Sequence, residues 1–432
     1  MKFPARPAAA LAALLLACAS VHAATKPAKS AKPAAPAAPV TLELAHNLGP
    51  QAEQKLQEVV DRFNQENGVT ITVRRLEKGQ KPAALNLLRR AEVGDALTRA
   101  ASFVPLYQAM AKAGAPFNQG EIVADLKAGV VDGRGRLVAL PLMYSTPVLF
   151  YNKNAFRKAG LDPEQPPATW FEMQGMLEKL QGAGYACPYT SSWPVWVHID
   201  NASALSGVPA ASDKGALSFN GLPQVKHIAM MATWTKAGYF RLFGRRNEAS
   251  DRFNEGECAM ISTDSREHAD FREARGVELG VAPLPYHEDV YGGRRGSLAD
   301  GASLWIGAGR PAAEYKAAAK FVAFLLSPEM QIDMMRRYGG LPLTAASRAA
   351  ARSALLRDDD RALEIALDSL KGQGARTALR VANIEPVSVI ANEELEAVWA
   401  DRKSAKAALD TSVARGNAVL AAQPALKKTQ PF

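Results

Sequence analysis

Apolar and polar positions change period several times along this chain. In "VTLELAHN", Val40, Leu42 and Leu44 alternate with Thr41 and Glu43, the period-two pattern of a strand with one buried face. The next stretch, "QAEQKLQEVVDRFNQENG", places Leu56, Val59, Val60 and Phe63 at helical spacing, and Gly68 stops it. "VTITVRRL" returns to alternation, so strand, helix and strand predict a βαβ unit in a mostly parallel sheet.

A second such region begins near "STPVLFYNKNAFRKAGLDPEQPPATW". "PVLFY" reads as a strand, followed by a short helix and a proline-rich loop. The loop delivers the chain to "ATWFEMQGMLEKLQGAG", where Thr169 and Glu172 have capping-box spacing and Trp170, Met173, Leu177 and Leu180 form a buried stripe ended by Gly182. The C-terminal third is helical, with "NEELEAVW" and then "SAKAALDTSVARGNAVLAA" carrying Leu409, Val413 and Leu420 on one face. No internal repeat is visible.

The first residues change the compartment. Lys2 and Arg6, an Ala/Leu run and Val21-His22-Ala23 make a secretory signal peptide over 1–23, and the apolar run is too short to span a bilayer. Cys18 in "LLAC" is read as part of the signal core, with lipid attachment the minor alternative. Residues 24–39, "ATKPAKSAKPAAPAAP", are a Pro/Ala/Lys linker. No later segment is long and apolar enough to span a membrane, so the mature chain is expected to be soluble and periplasmic.

The net charge of +9 is concentrated at that end, since Lys2, Arg6, Lys26, Lys29 and Lys32 all lie in the leader and linker. No dense Lys/Arg stripe with interleaved aromatics follows, so a nucleic-acid partner is not expected. About 390 residues remain, a length for two domains. Cys187 and Cys258 form an even pair in an oxidising compartment and are expected to be bonded.

The search for reactive chemistry returns little. There is no phosphate loop, His-Glu-x-x-His, nucleophile elbow or paired Cys-x-x-Cys, and hence no metal site or cofactor is expected. The six histidines are scattered, with His268 and His287 read as loop residues. "RDDDR" at 357–361 reads as an exposed charge run. "STDSREH" at 262–268 contains nucleophile, acid and base types, yet triad members normally come from separate segments, so a secreted hydrolase is a remote alternative. More prominent are aromatics, hydroxyls and glycines suited to a small polar solute in a cleft: Tyr144, Ser145 and Thr146, Trp193 and Trp196 in "SSWPVW", Gly301 in "DGASLW", and "YGGLP" from Tyr338. Trp170 and Trp305 are expected in the core.

The stretch 145–170 quoted above, "PQVKHIAM" from Pro223, "GECAM" from Gly256, "GASLW" from Gly301, "GLPLT" from Gly340 and "NEELEAVW" from Asn392 together resemble, in one collinear order, the periplasmic solute-binding proteins of ABC importers (extracellular solute-binding family 1), and among them the glycerol-3-phosphate-binding branch. The resemblance implies an α/β, two-lobed periplasmic binding protein fold of type II, with a cleft between lobes joined by hinge crossings. Lobe one would comprise 40–147 plus 301–340, and lobe two 148–300 plus 341–432. Crossings would fall at "STPVLFYNK", near "ADGASL" and near "GGLPLT". A monomer would capture a small polar solute by lobe closure and deliver it to an ABC permease and ATPase, without catalysis.

The family's ligand contacts carry over in part. Glu92 in "AEVG" looks like the cleft glutamate, although the chain lacks about a dozen residues just before it; Ser145 matches the hinge serine and Gly301 the backbone contact. Four positions depart: Lys81 stands for a tyrosine, Asp264 for a serine, Gly340 for the tyrosine of "GYLP", and Ser388 for an arginine. A sealed phosphate needs charge-assisted donors, which Ser388 cannot supply and Asp264 would oppose, while Lys81 or Arg380 could restore a cation. The expected ligand is therefore sn-glycerol-3-phosphate or a glycerophosphodiester, with a neutral polyol, a sugar or a ligand with a cationic end as the alternative.

Overall fold

Strand pairing divides the protein into two sheets. The computed structural model describes residues 40–423 apart from 78–79, 90–91, 93–101, 128, 213–214, 290–293, 356–360 and 373–383. The expected leader, the linker, Cys18, Arg380 and most of the 357–361 charge run lie outside the described residues.

The first sheet contains β1 (Thr41–His46), β2 (Thr70–Arg75), β3 (Leu85–Arg89), β4 (Phe103–Val104), β5 (Leu140–Ser145) and β11 (Asp300–Gly307), in the order β2-β1-β3-β11-β4, with β5 also on β11. β1 pairs in parallel with β2 and β3, as the βαβ reading requires. β11 runs antiparallel to β3 and shares its other edge between β5 and β4. The Pro50–Asn67 helix buries Leu56, Val59, Val60 and Phe63, and ends at Gly68 with φ +61°, a conformation glycine adopts without a Cβ penalty. Phe63 meets Phe321 of the Ala312–Leu326 helix edge-on at 5.0 Å.

The second sheet holds β6 (Pro147–Asn152), β7 (Cys187–Ser191), β8 (Phe240–Arg241), β9 (Cys258–Asp264) and β10 (Leu279–Pro283), ordered β10-β6-β9-β7-β8. β6 is buried on both faces, which explains its unbroken apolar run. Val148 and Phe150 join the core that continues from the first sheet, whereas Leu149 and Tyr151 pack with Trp170, Met173, Leu177 and Leu180. Both bonds of the Thr169–Glu172 capping box form. Cys187 and Cys258 lie opposite each other on β7 and β9 and are joined by a disulfide.

The chain passes between sheets at Ser145-Thr146-Pro147 and again before β11. "GGLPLT" is not a crossing. Leu341 N–H donates to the Tyr144 carbonyl, Val123 N–H donates to that of Leu343, and Arg348 of the Ala345–Leu355 helix forks onto Asp125 at 2.7 and 2.8 Å. Residues 341–355 thus pack beside the first sheet. The Ala362–Ser369 helix packs on β6 and β10 of the second sheet.

Candidate functional site

Four strand ends meet where the sheets join. Ser145 and Tyr144, at the end of β5, stand opposite Asp300 and Gly301 of β11, while Pro147 at the start of β6 stands opposite Asp264 at the end of β9. Ser145 and Thr146 are fully buried. Thr146 is tied through its carbonyl, which accepts the Ser265 N–H at 2.9 Å just beyond β9, and through its hydroxyl, which reaches the Leu298 carbonyl at 3.5 Å in the segment leading into β11. Gly339 and Gly340 complete the junction. A side chain on Gly339 would strike the Arg266 backbone at 2.6 Å, and Gly340 lies beside the Tyr144 carbonyl.

Asp264 does not present a bare negative charge, as the sequence suggested. Its carboxylate caps the following turn by accepting the Arg266 backbone N–H at 2.9 Å, and takes Arg266 Nε at 2.8 Å and also Nη2. Burial works to raise the Asp264 pKa, but the Arg266 guanidinium, its hydrogen bonds and one from Ser145 hold it below the usual carboxylate range. The like-charge penalty against an anionic solute is thereby removed by a residue in the "STDSREH" stretch that the sequence reading set aside.

On the facing side, β3 ends at Arg89, paired with Ala302. Three residues later, Glu92 Oε2 accepts the Arg89 backbone N–H at 2.9 Å and Oε1 accepts the Asn47 side-chain amide at 2.8 Å. The Arg89 guanidinium carbon lies 5.1 Å from the ring centroid of Trp193, which belongs to the second lobe. Burial chiefly, and then neighbouring Arg266, lower the Arg89 pKa. Trp193 is held at φ 52°, a region that bulky residues avoid, by its N–H to the Arg246 carbonyl at 2.9 Å and its carbonyl to Val197 N–H at 3.0 Å.

Glu92, Tyr144, Ser145, Trp193, Asp264, Gly301 and Gly340 are therefore linked through one junction. Lys81 is not part of it. Pro82 and Ala83 lie against Arg310 and Gly307, at the end of β11 away from Gly301, and six residues of strand separate those glycines by about 20 Å. An exposed Lys81 cannot supply a cation at Gly301 from there. Trp196 packs against Val197, Leu205 and Leu284, and Ser388 is half-buried near the start of the Glu385–Trp399 helix, which packs on the Ala405–Ala421 helix. Arg89 and Arg266 were missed in the sequence. Their signals were three- and two-residue spacings from the two acids that were singled out.

The histidines are not all scattered. His198 Nδ1 lies 3.1 Å from His227 Nε2, and His227 Nδ1 lies 3.1 Å from His287 Nε2, a ladder packed against Trp170. Burial lowers all three pKa values, to about 3 for His198 and about 4 for His287. Among the described residues no group of three or more His, Cys, Asp or Glu could hold a metal ion.

The profile of the bacterial extracellular solute-binding protein family matches residues 58–360. The sn-glycerol-3-phosphate-binding periplasmic protein UgpB of Pectobacterium atrosepticum is 34% identical over 402 residues, covering 87% of this chain and 90% of that protein. The UgpB of Escherichia coli O6:K15:H31 is 33% identical over 407 residues, covering 88% and 92%. The crystal structure of Mycobacterium tuberculosis UgpB in complex with glycerophosphocholine superposes with a TM-score of 0.74 at 20% identity, over 89% of this chain and 99% of that one. The cyclic alpha-maltosyl-1,6-maltose binding protein of Arthrobacter globiformis gives 0.71 at 20% identity, over 88% and 99%. With two sheets joined at the strand ends and this likeness along most of its length, the chain has the two-lobed fold of, and belongs to, the bacterial extracellular solute-binding proteins.

Proposed function

We propose that this chain is the periplasmic substrate-binding component of an ABC importer. It captures sn-glycerol-3-phosphate or a glycerophosphodiester between its lobes and delivers it unaltered, as a monomer, to a permease and its ATPase. The observation that carries the reading is identity of about one third to sn-glycerol-3-phosphate-binding proteins across nearly nine tenths of the chain. The Asp264–Arg266 pair supports it, because the acid that would repel a phosphate is already neutralised. Glu92, Tyr144, Ser145, Trp193, Gly301 and Gly340 are the proposed lining. Strand membership supports a division into residues 40–145 plus 300–355 and residues 147–283 plus 361–423.

A second reading, a neutral sugar or polyol, is favoured by Ser388 standing where the resemblance calls for an arginine. Calorimetric titration of the mature protein with sn-glycerol-3-phosphate, glycerophosphocholine and a panel of sugars decides between them. Heat with a sugar and none with either phosphate ligand retires the phosphate reading. Recovering the ligand chemically intact after incubation tests the absence of catalysis. The mass of the exported form tests cleavage after residue 23 and the state of Cys18.

A further inference from the structure

Each acid around Arg89 already has a donor. Glu92 accepts from Asn47 and the Arg89 backbone, Asp264 from Arg266, and Asp300 Oδ1 from the Gly301 N–H at 2.7 Å. The Arg89 guanidinium itself makes no hydrogen bond or ion pair among the described residues, although it is half-buried. Five N–H donors on a partly desolvated cation are costly to leave without acceptors. That cation lies over the ring of Trp193 from the opposite lobe, whose backbone is itself constrained, so the ring backs the guanidinium where the two lobes meet. Of the two arginines at the junction, Arg266 is occupied and Arg89 is available.

We infer that Arg89 is the specificity-determining residue for phosphate in this chain, taking two phosphate oxygens on its N–H fork while Trp193 backs the guanidinium plane. The inference rests on the proposed function and adds a residue that neither the resemblance nor the relatives' names assign. It supplies from the first lobe the cation that Ser388 does not supply from the second, and it removes the need for Lys81. A guanidinium suits the task because its planar fork matches two phosphate oxygens, whereas an ammonium is a point charge.

The test is calorimetric titration of sn-glycerol-3-phosphate and glycerophosphocholine into the wild type, Arg89→Gln and Arg89→Lys, with melting temperatures alongside. The wild type binds at least one of them, Arg89→Gln binds about 100-fold more weakly, and Arg89→Lys recovers part of the loss. The side chain is half-exposed and supports no ladder bond, so Arg89→Gln keeps its melting temperature to within about 2 °C. Affinity within about threefold of wild type in Arg89→Gln overturns the assignment and leaves the proposed function standing. Failure of the wild type to bind either ligand overturns the phosphate reading and the assignment with it. Should the glutamine variant not fold, Arg89→Lys decides alone: undiminished affinity there overturns the role of the fork.

Discussion

Two glycines at the lobe junction should respond to the same mutation in opposite ways. A Cβ on Gly301 would fall 1.9 Å from the Met143 carbonyl oxygen, 2.7 Å from its carbon and 2.8 Å from Tyr144 Cα, all backbone atoms. Restoring contact at 3.4 Å requires β11 and β5 to part by about 1.5 Å. β11 cannot simply move away, because its other edge is laddered to β3 from Ala302 to Ile306. Overpacking of this kind costs about 1–3 kcal/mol, and loosening one or two ladder bonds adds about 1 kcal/mol each, so Gly301→Ala should cost roughly 2–5 kcal/mol. That corresponds to a fall of about 3–6 °C in melting temperature for a chain of this length, accompanied by loss of solute binding. At Gly340 the nearest atom to a new Cβ is the Tyr144 carbonyl oxygen at 3.9 Å, and no positive φ is involved. Gly340→Ala should therefore be neutral or stabilising by up to about 1 kcal/mol, through the lower entropy of the unfolded chain. Thermal unfolding followed by circular dichroism measures both. A Gly301→Ala protein melting within about 2 °C of wild type, or a Gly340→Ala protein falling as far as Gly301→Ala, would refute the steric argument.

Acid should weaken the protein through its histidine ladder. His198, His227 and His287 are neutral in the fold, with pKa values depressed below the unfolded 6.5, so the unfolded state binds more protons and stability falls as pH drops below 6.5, by about 2 kcal/mol per histidine between pH 7 and 5. Glu267, raised to about 7 chiefly by burial, binds its proton in the folded state and offsets about 2 kcal/mol over the same interval. Urea unfolding at the two pH values should thus show a loss of about 4 kcal/mol for wild type and about 6 for Glu267→Gln, and equal losses would contradict the assignment. Reducing the Cys187–Cys258 bond, which spans 71 residues of sequence, should lower stability by up to about 4 kcal/mol in denaturation with and without reductant. Asp264→Asn leaves the Arg266 guanidinium without its carboxylate and should cost about 3 kcal/mol; adding Arg266→Gln should recover part of that, measured as a double-mutant cycle.

Elements with a strong local signal are legible in the sequence alone. The Trp170–Gly182 helix combined a reciprocal cap with a regular apolar stripe, and β1, the Pro50–Asn67 helix and β2 changed period cleanly. What failed depended on partners distant in sequence. "GGLPLT" was expected as a passage between lobes on the family resemblance, yet the hydrogen bonds of Leu341 and Leu343 to the first lobe decided otherwise. Asp264 looked repulsive because its charge was read without Arg266 two residues away, and Lys81 looked useful because sequence does not tell which end of β3 it precedes. His198, His227 and His287 are separated by 29 and 60 residues, so no local pattern could join them.

The single-residue passage at Thr146 limits how the lobes can move. Pro147 has its φ fixed by its ring, and a residue preceding proline is confined to extended backbone, so Thr146 has little torsional latitude. Any swing of one lobe against the other would have to pivot close to this point. Ser145, Asp264 and Gly301 sit at the pivot and keep nearly constant separations throughout the swing. Arg89 and Trp193 face each other from opposite lobes, so a fluorescence or spin-label reporter placed beside that pair would register a change in their separation, whereas one beside Thr146 reads a backbone that proline restrains.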